Sequence, residues 1–123
     1  MSKTDDVGFG AEYCPLTVEK VSFNDPVFVL GGKNWGLSTL NPWRVISGAQ
    51  IVFSWGHSDA AEKCIDLRDL DVLSFRKIDS NGVEDLLVSF SNGLTLQVFS
   101  MGDPEEWVLD LPQDLTIVCQ SGG

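Results

Sequence analysis

Leu86-Leu87-Val88-Ser89-Phe90-Ser91-Asn92-Gly93-Leu94-Thr95-Leu96-Gln97-Val98 is the stretch on which the fold turns. Leu86, Val88 and Phe90 recur at every second position, as do Leu94, Leu96 and Val98, the period of a strand with one apolar face. Ser91-Asn92-Gly93 separates the two rows, and the length of that loop sets their register. A two-residue Asn-Gly loop would pair Phe90 with Thr95 and place the rows on opposite faces. A three-residue loop pairs Phe90 with Leu94, Val88 with Leu96 and Leu86 with Val98. That register gathers six apolar side chains on one face, each worth roughly 1.5–3 kcal/mol when fully buried. The sequence therefore predicts a type I turn with Gly93 in the left-handed region, forming a bulge.

Working upstream, Leu73 and Phe75 alternate with Ser74 and Arg76, and Asp79-Ser80-Asn81-Gly82 supplies the turn. Here a two-residue loop pairs Phe75 with Val88 and Leu73 with Phe90, and a four-residue loop pairs Phe75 with Leu86 and Leu73 with Val88. Either aligns the apolar rows, whereas a three-residue loop sets Arg76 against Leu86. Downstream, Glu106–Leu111 and Leu115–Val118 flank Pro112-Gln113-Asp114 and read as a further hairpin. The C-terminal half is thus expected to be a twisted antiparallel meander of about five strands with one buried face, which needs a covering layer.

The cover comes from the N-terminal half. Val27–Leu30, Trp35–Leu40, Trp43–Ile46 and Ile51–Trp55 read as short strands between Gly, Pro and Asn punctuation. Asp59 to Leu70 reads as a short helix: Asp59 and Glu62 have capping-box spacing, and Ala60, Cys64 and Leu67 share one face. Residues 1–10 read as a flexible tail. The expected fold is mainly β, with an α+β arrangement as the variant, in a single domain over residues 1–123.

The chain has 123 residues, of which 18 are acidic and 8 basic, a formal net charge of −10. A single domain of this size can bury a real core without staples. The charge excludes direct nucleic-acid binding and docking on an anionic membrane, both of which need clustered Lys and Arg. Residues 59–123 carry thirteen acids and four bases, net −9, against −1 for residues 1–58. The start of the chain has no apolar signal segment, and no apolar run approaches a membrane span. Cys14, Cys64 and Cys119 are odd in number and far apart, unlike a disulfide framework or a zinc site. Reduced cysteines in the cytoplasm are the simplest account.

No catalytic set emerges. His57, the one histidine, lies in Ser54-Trp55-Gly56-His57-Ser58-Asp59, too short a loop for triad geometry, and no nucleophile elbow exists. Cys64 reads as a core residue. Asp66, Asp69 and Asp71, or Asp103, Glu105 and Glu106, lack the spacing of a calcium loop, and the glycines form no phosphate loop. The reading is therefore of no enzyme, no cofactor and no metal. The acids make better sense as a surface. Asp103-Pro104-Glu105-Glu106-Trp107 sets carboxylates beside an aromatic, which fits capture of an Arg/Lys-rich partner. The alternation of Trp107 with Leu109 and Leu111 favours burial of its ring instead, and Trp35, Trp43 and Trp55 are expected in the core. The candidate partner-binding residues are Asp59, Glu62, Asp66, Asp69, Asp103, Glu105, Glu106 and Asp110.

Residues 71–123 resemble a group of short bacterial proteins that share a strand, an Asp/Asn-Gly turn, a Glu-x-Trp-x-Leu strand and a Gly-Gly ending. The matching residues are Val88, Phe90, Asn92, Gly93, Leu96, Val98, Glu105, Trp107, Leu109, Gly122 and Gly123. Such families resemble immunity proteins of bacterial toxin systems, including contact-dependent growth inhibition. The resemblance implies a cytosolic protein that binds and neutralises one cognate toxin, a basic nuclease being one such target, without catalysis. The alternative is a small-molecule or peptide-binding module with a Trp-lined cleft.

Overall fold

A computed structural model describes residues 4–80, 83–100, 107–113 and 115–118. Its strands are β1 (Thr4–Phe9), β2 (Leu16–Thr17), β3 (Lys20–Asn24), β4 (Val27–Gly31), β5 (Gly36–Thr39), β6 (Trp43–Ser47), β7 (Gln50–Ser54), β8 (Asp71–Ser80), β9 (Val83–Phe90), β10 (Leu94–Val98), β11 (Trp107–Leu111) and β12 (Leu115–Val118). One short helix, α1 (Ala60–Lys63), continues as a 3₁₀ turn over Cys64–Leu67. The fold is mainly β, as the alternation requires. The first antiparallel sheet runs β1-β8-β9-β10-β6-β7, with β2 also on β8, and the second runs β12-β11-β5-β4-β3.

The β9–β10 hairpin has the three-residue register: Val88 pairs with Leu96 and Leu86 with Val98. Gly93 sits at φ 89°, and its N–H donates to the Phe90 carbonyl at 3.1 Å. Asn92 Oδ1 accepts the Leu94 N–H at 3.1 Å, which secures the turn from the side-chain direction. On the other side Ser80 pairs with Val83 and Phe75 with Val88, the two-residue alternative. Leu73, however, does not face Phe90. The register shifts between Val72 and Ser74, so Val72 takes the inward place opposite Phe90 and Leu73 is left 52% exposed. A bulge of this kind lets two residues oppose one, exchanging one apolar side chain for its neighbour.

Two further expectations are corrected. The meander ends at β10, whose second edge is taken by β6 (Leu96 opposite Val45, Val98 opposite Trp43). The β11–β12 hairpin forms as read but joins the second sheet, where Trp107 pairs with Thr39 and Leu109 with Leu37. From there Trp107, Leu109 and Leu111 face the first sheet and are buried, and the Trp107 indole donates to the Glu84 carbonyl at 3.1 Å. The N-terminal residues are likewise no loose tail throughout. Thr4–Phe9 pairs with Phe75–Ser80, because the ten-residue β8 offers an otherwise unpaired edge, and the Phe9 ring stacks on Phe75 at 5.7 Å.

The helix is shorter than its apolar spacing suggests. Ala60, Cys64 and Leu67 do turn inward and are buried, yet Asp59 makes no side-chain cap. The chain leaves the helix at Arg68 because a nonlocal ladder takes over. Asp69 N–H donates to the Val18 carbonyl and Val18 N–H to the Leu70 carbonyl, both at 2.8 Å. That ladder belongs to a crossing. Leu16 pairs with Val72 in the first sheet, and four residues on Lys20 pairs with Gly31 in the second. The Trp35 indole locks the crossing by donating to the Thr17 carbonyl at 3.0 Å.

Gly32 is required at this lock. A Cβ there would lie 2.3 Å from Trp35 Nε1 and 2.4 Å from the Thr17 oxygen, between donor and acceptor. Gly32→Ala is expected to destabilise the fold by about 1–3 kcal/mol, the range for overpacked sites. Gly56→Ala, where an added Cβ meets nothing within 4 Å, should change stability by less than about 0.5 kcal/mol. Urea midpoints of the two variants provide the check.

Candidate partner-binding surface

α1 and the turn after it lie against β3, and α1 also lies against β7, the edge strands of the two sheets. With Ala60, Cys64 and Leu67 committed to the core, the intervening positions face water. Asp59, Glu62, Asp66 and Asp69 are all exposed, and Asp69 adopts the left-handed conformation at φ 69°. Their carboxylates make no ion pair or hydrogen bond among the described residues. Ile65, in the same stretch, is 53% exposed.

Other acids of this half are occupied in holding the fold. Glu84 lies 3.6 Å from the Lys77 ammonium. Asp85 accepts the Ser100 N–H at 2.8 Å and the Gln97 amide at 3.3 Å, and Gln97 in turn accepts from Arg44 Nε at 3.0 Å. Asp71 accepts the Thr17 hydroxyl at 3.0 Å. Asp110 is exposed on the outer face of β11 and accepts the Thr116 hydroxyl at 2.8 Å. It stands three strands from β3 across the second sheet, roughly 14 Å at the usual spacing. The structure thus brings four of the candidate residues onto one segment and leaves Asp110 on a separate face. Asp103, Glu105 and Glu106 lie outside the described residues.

The tryptophans divide differently from expectation. Trp107 and Trp43 are fully buried and Trp35 is 5% exposed, whereas Trp55 is 46% exposed. Trp55 is held only at the end of an edge strand, its N–H donating to the Trp43 carbonyl at 3.1 Å. Three of the four indoles are thus committed to the core. Ile51 and Val52 on β7 are also half exposed. The pairing of β7 with β6 shifts by one residue between Val45 and Ile46, so Val52 is an extra residue without an inward place. The run Ile51-Val52-Phe53, apolar without alternation, was the available signal for that irregularity.

His57 is exposed and serves the backbone. Its Nδ1 accepts the Ser54 N–H at 3.3 Å, and its own N–H donates to the Ser54 carbonyl at 3.0 Å. The imidazole therefore closes the end of the free edge of β7 and is not presented to a serine hydroxyl. Among the described residues no group of His, Cys, Asp and Glu could hold a metal ion, and no helix is long and apolar enough to cross a membrane. No protein-family model matches the chain, and neither does any curated protein or solved structure.

Burial raises the thiol pKa of both described cysteines. At Cys64 desolvation is the main cause and the Asp66 charge adds to it; at Cys14 desolvation leads and Glu12 adds. A thiol kept neutral in the fold but free to ionise when unfolded contributes stability below its unfolded pKa and loses it as pH rises. The melting temperature is expected to fall as pH rises past about 8.5, the ordinary thiol value, and to fall less in Cys64→Ala. Iodoacetamide at pH 8 should modify Cys64 only as fast as the protein opens, because thiolate access is what limits alkylation. Mass spectrometry of timed samples reads this directly.

Proposed function

We propose that the chain is an immunity protein: a non-catalytic, cytosolic protein that binds and neutralises a cognate bacterial toxin domain of basic character, such as a nuclease, through its acidic surface. The observation that carries this reading is the segment from Asp59 to Asp69. Its four exposed carboxylates have no partner among the described residues, while Glu84, Asp85 and Asp71 are engaged within the fold. The segment also carries the exposed bases Lys63 and Arg68, so four acids face two bases there and its formal charge is −2; scattered, such carboxylates would only solubilise the protein. Gathered on one segment, they form a field that steers a positively charged partner. The resemblance of residues 71–123 to toxin-system immunity proteins supports the same reading. The mechanism it implies is occlusion: the partner's basic substrate-binding face is covered and its charge neutralised, with no bond made or broken.

The test is binding to the product of the gene adjacent to this one, together with inhibition of that product's activity. A complex at or below micromolar Kd is expected. Its association rate should fall at least tenfold as salt rises from 0.01 M to 0.15 M, because the screening length shrinks from about 30 Å to about 8 Å. Absence of a complex at micromolar concentration overturns the reading; a complex with a salt-independent rate overturns its electrostatic part.

A further inference from the structure

We infer that the outer face of the second sheet docks on the same face of a second copy of this chain, about a two-fold axis that runs roughly parallel to the strands. Strand register fixes which side chains share this face. Phe28, Leu30, Leu37, Trp107 and Leu109 are buried in the core, so the positions between them point outward. Lys20, Gly31, Gly36, Asp110 and Thr116 stand abreast in one row across the sheet. Ser22, Val29, Ser38, Val108 and Val118 form the next row. In a third, Asn24 pairs with Val27, and Leu40 follows Thr39, the partner of Phe28. Val27 is 42% and Leu40 63% exposed, and Val29, Val108 and Val118 are half-buried. The register thus gathers these aliphatic side chains on one surface.

The charge on this surface is balanced. Lys20 and Asp110 are the ionic side chains of the three rows, and both are exposed. Exposed Glu19, Asp25 and Lys33 stand at the margins, before β3 and in the turns on either side of β4, and bring the sum to −1. A chain at −10 repels its own copy over most of its surface, and a near-neutral apolar face is where that repulsion is least. A strongly charged partner finds no net charge to oppose here, and a single outward lysine does not anchor an anionic membrane.

The position of the two charges selects the second copy. Lys20 and Asp110 stand three strands apart in one row, roughly 14 Å and too far to pair within a chain. Gly31 and Gly36 lie between them. Lys20 Cε is 3.2 Å from the place a Cβ on Gly31 would take, so the lysine stem rests on bare backbone along the row. A two-fold axis over the face, midway between β4 and β5, exchanges β3 with β11 and keeps each row abreast of itself. It sets Lys20 of each copy over Asp110 of the other, and Val27 of each over Leu40 of the other. The face is thus complementary to itself in charge as well as in apolar surface. The four strands that overlap span about 19 Å by 17 Å. That is well below a standard interface, so the pair is weak, with a Kd of about 0.1–1 mM.

Small-angle X-ray scattering of the whole chain, over about 0.02–2 mM protein at about 0.15 M salt, reads the association. Forward scattering per unit mass is expected to climb toward twice its dilute value. Val29→Glu, which sets a carboxylate beside the axis, should weaken the dimer at least about tenfold, and so should Lys20→Glu, which faces acid with acid. The swap Lys20→Glu/Asp110→Lys should restore the dimer to within about threefold of the native chain, because the two charges exchange places across the axis. Leu73→Glu adds the same charge on the first sheet and should weaken the dimer less than about threefold. Circular dichroism confirms that each variant is folded. A native chain that stays monomeric to about 2 mM overturns the inference. So do a dimer that Val29→Glu leaves intact, a swap that restores nothing, and equal losses in Val29→Glu and Leu73→Glu. A dimer lost in Ile117→Pro and kept in Lys20→Glu is a pairing of β12 edges and overturns it as well.

Discussion

The Trp43 indole is the contact on which the two sheets depend. It sits on β6, in the first sheet, fully buried. Its ring meets Phe28 of β4 at 4.6 Å and Phe23 of β3 at 5.1 Å across the layer, and Phe53 of β7 at 5.9 Å within its own sheet. Each aromatic pair contributes about 0.5–1.5 kcal/mol beyond the area it buries. The geometry has a cost: Trp43 Nε1 is buried without a hydrogen-bond acceptor, worth about 1–3 kcal/mol against the fold. Three ring contacts and the burial of the largest side chain offset that loss. They also place β7 at the margin of the cluster, where Phe53 points in and its neighbours do not.

That margin explains why β7 leaves apolar side chains exposed. β7 contributes one residue to the core, so Ile51 and Val52 have nowhere inward to go. The Trp43 carbonyl holds the Trp55 backbone at 3.1 Å, beyond the end of β7, and leaves its ring half outside. α1 follows at once, turned by Ala60, Cys64 and Leu67 so that its acidic positions face water. Core packing and surface chemistry are therefore two consequences of one arrangement: what Trp43 gathers inward determines what β7 and α1 display.

The charge of the C-terminal half is less uniform than its total of −9 implies. Asp71, Glu84 and Asp85 bind hydroxyl, ammonium and amide groups inside or beside the sheets. They act as structural acceptors, and their charge is spent locally. The carboxylates of the α1 segment have no such partners among the described residues. A count by sequence half cannot separate these populations, because pairing depends on which strands become neighbours. Among the described residues of this half, the acids of the sheets are engaged within the fold, and the carboxylates without such a partner are those of the short helical segment.

The Ser91–Gly93 turn was legible in the sequence because alternation and loop parity are short-range constraints, whereas parity left two registers open at Asp79–Gly82 and the structure takes the two-residue one. Phe90, Gly93 and Leu94 admit one register that keeps Leu86, Val88, Leu96 and Val98 together, and that register forms. The inward face of the helix was legible for the same reason, as was the burial of Trp107. Period-two patterning says which face a residue takes, but not which strand it lies beside. Tertiary structure alone decided that β11 pairs with β5, that β6 closes β10 and that Thr4–Phe9 completes the edge of β8. It also decided that Leu73 and Trp55 stay outside. Backbone hydrogen bonding is indifferent to side-chain identity, so the choice of neighbour falls to the packing of the whole core around Trp43.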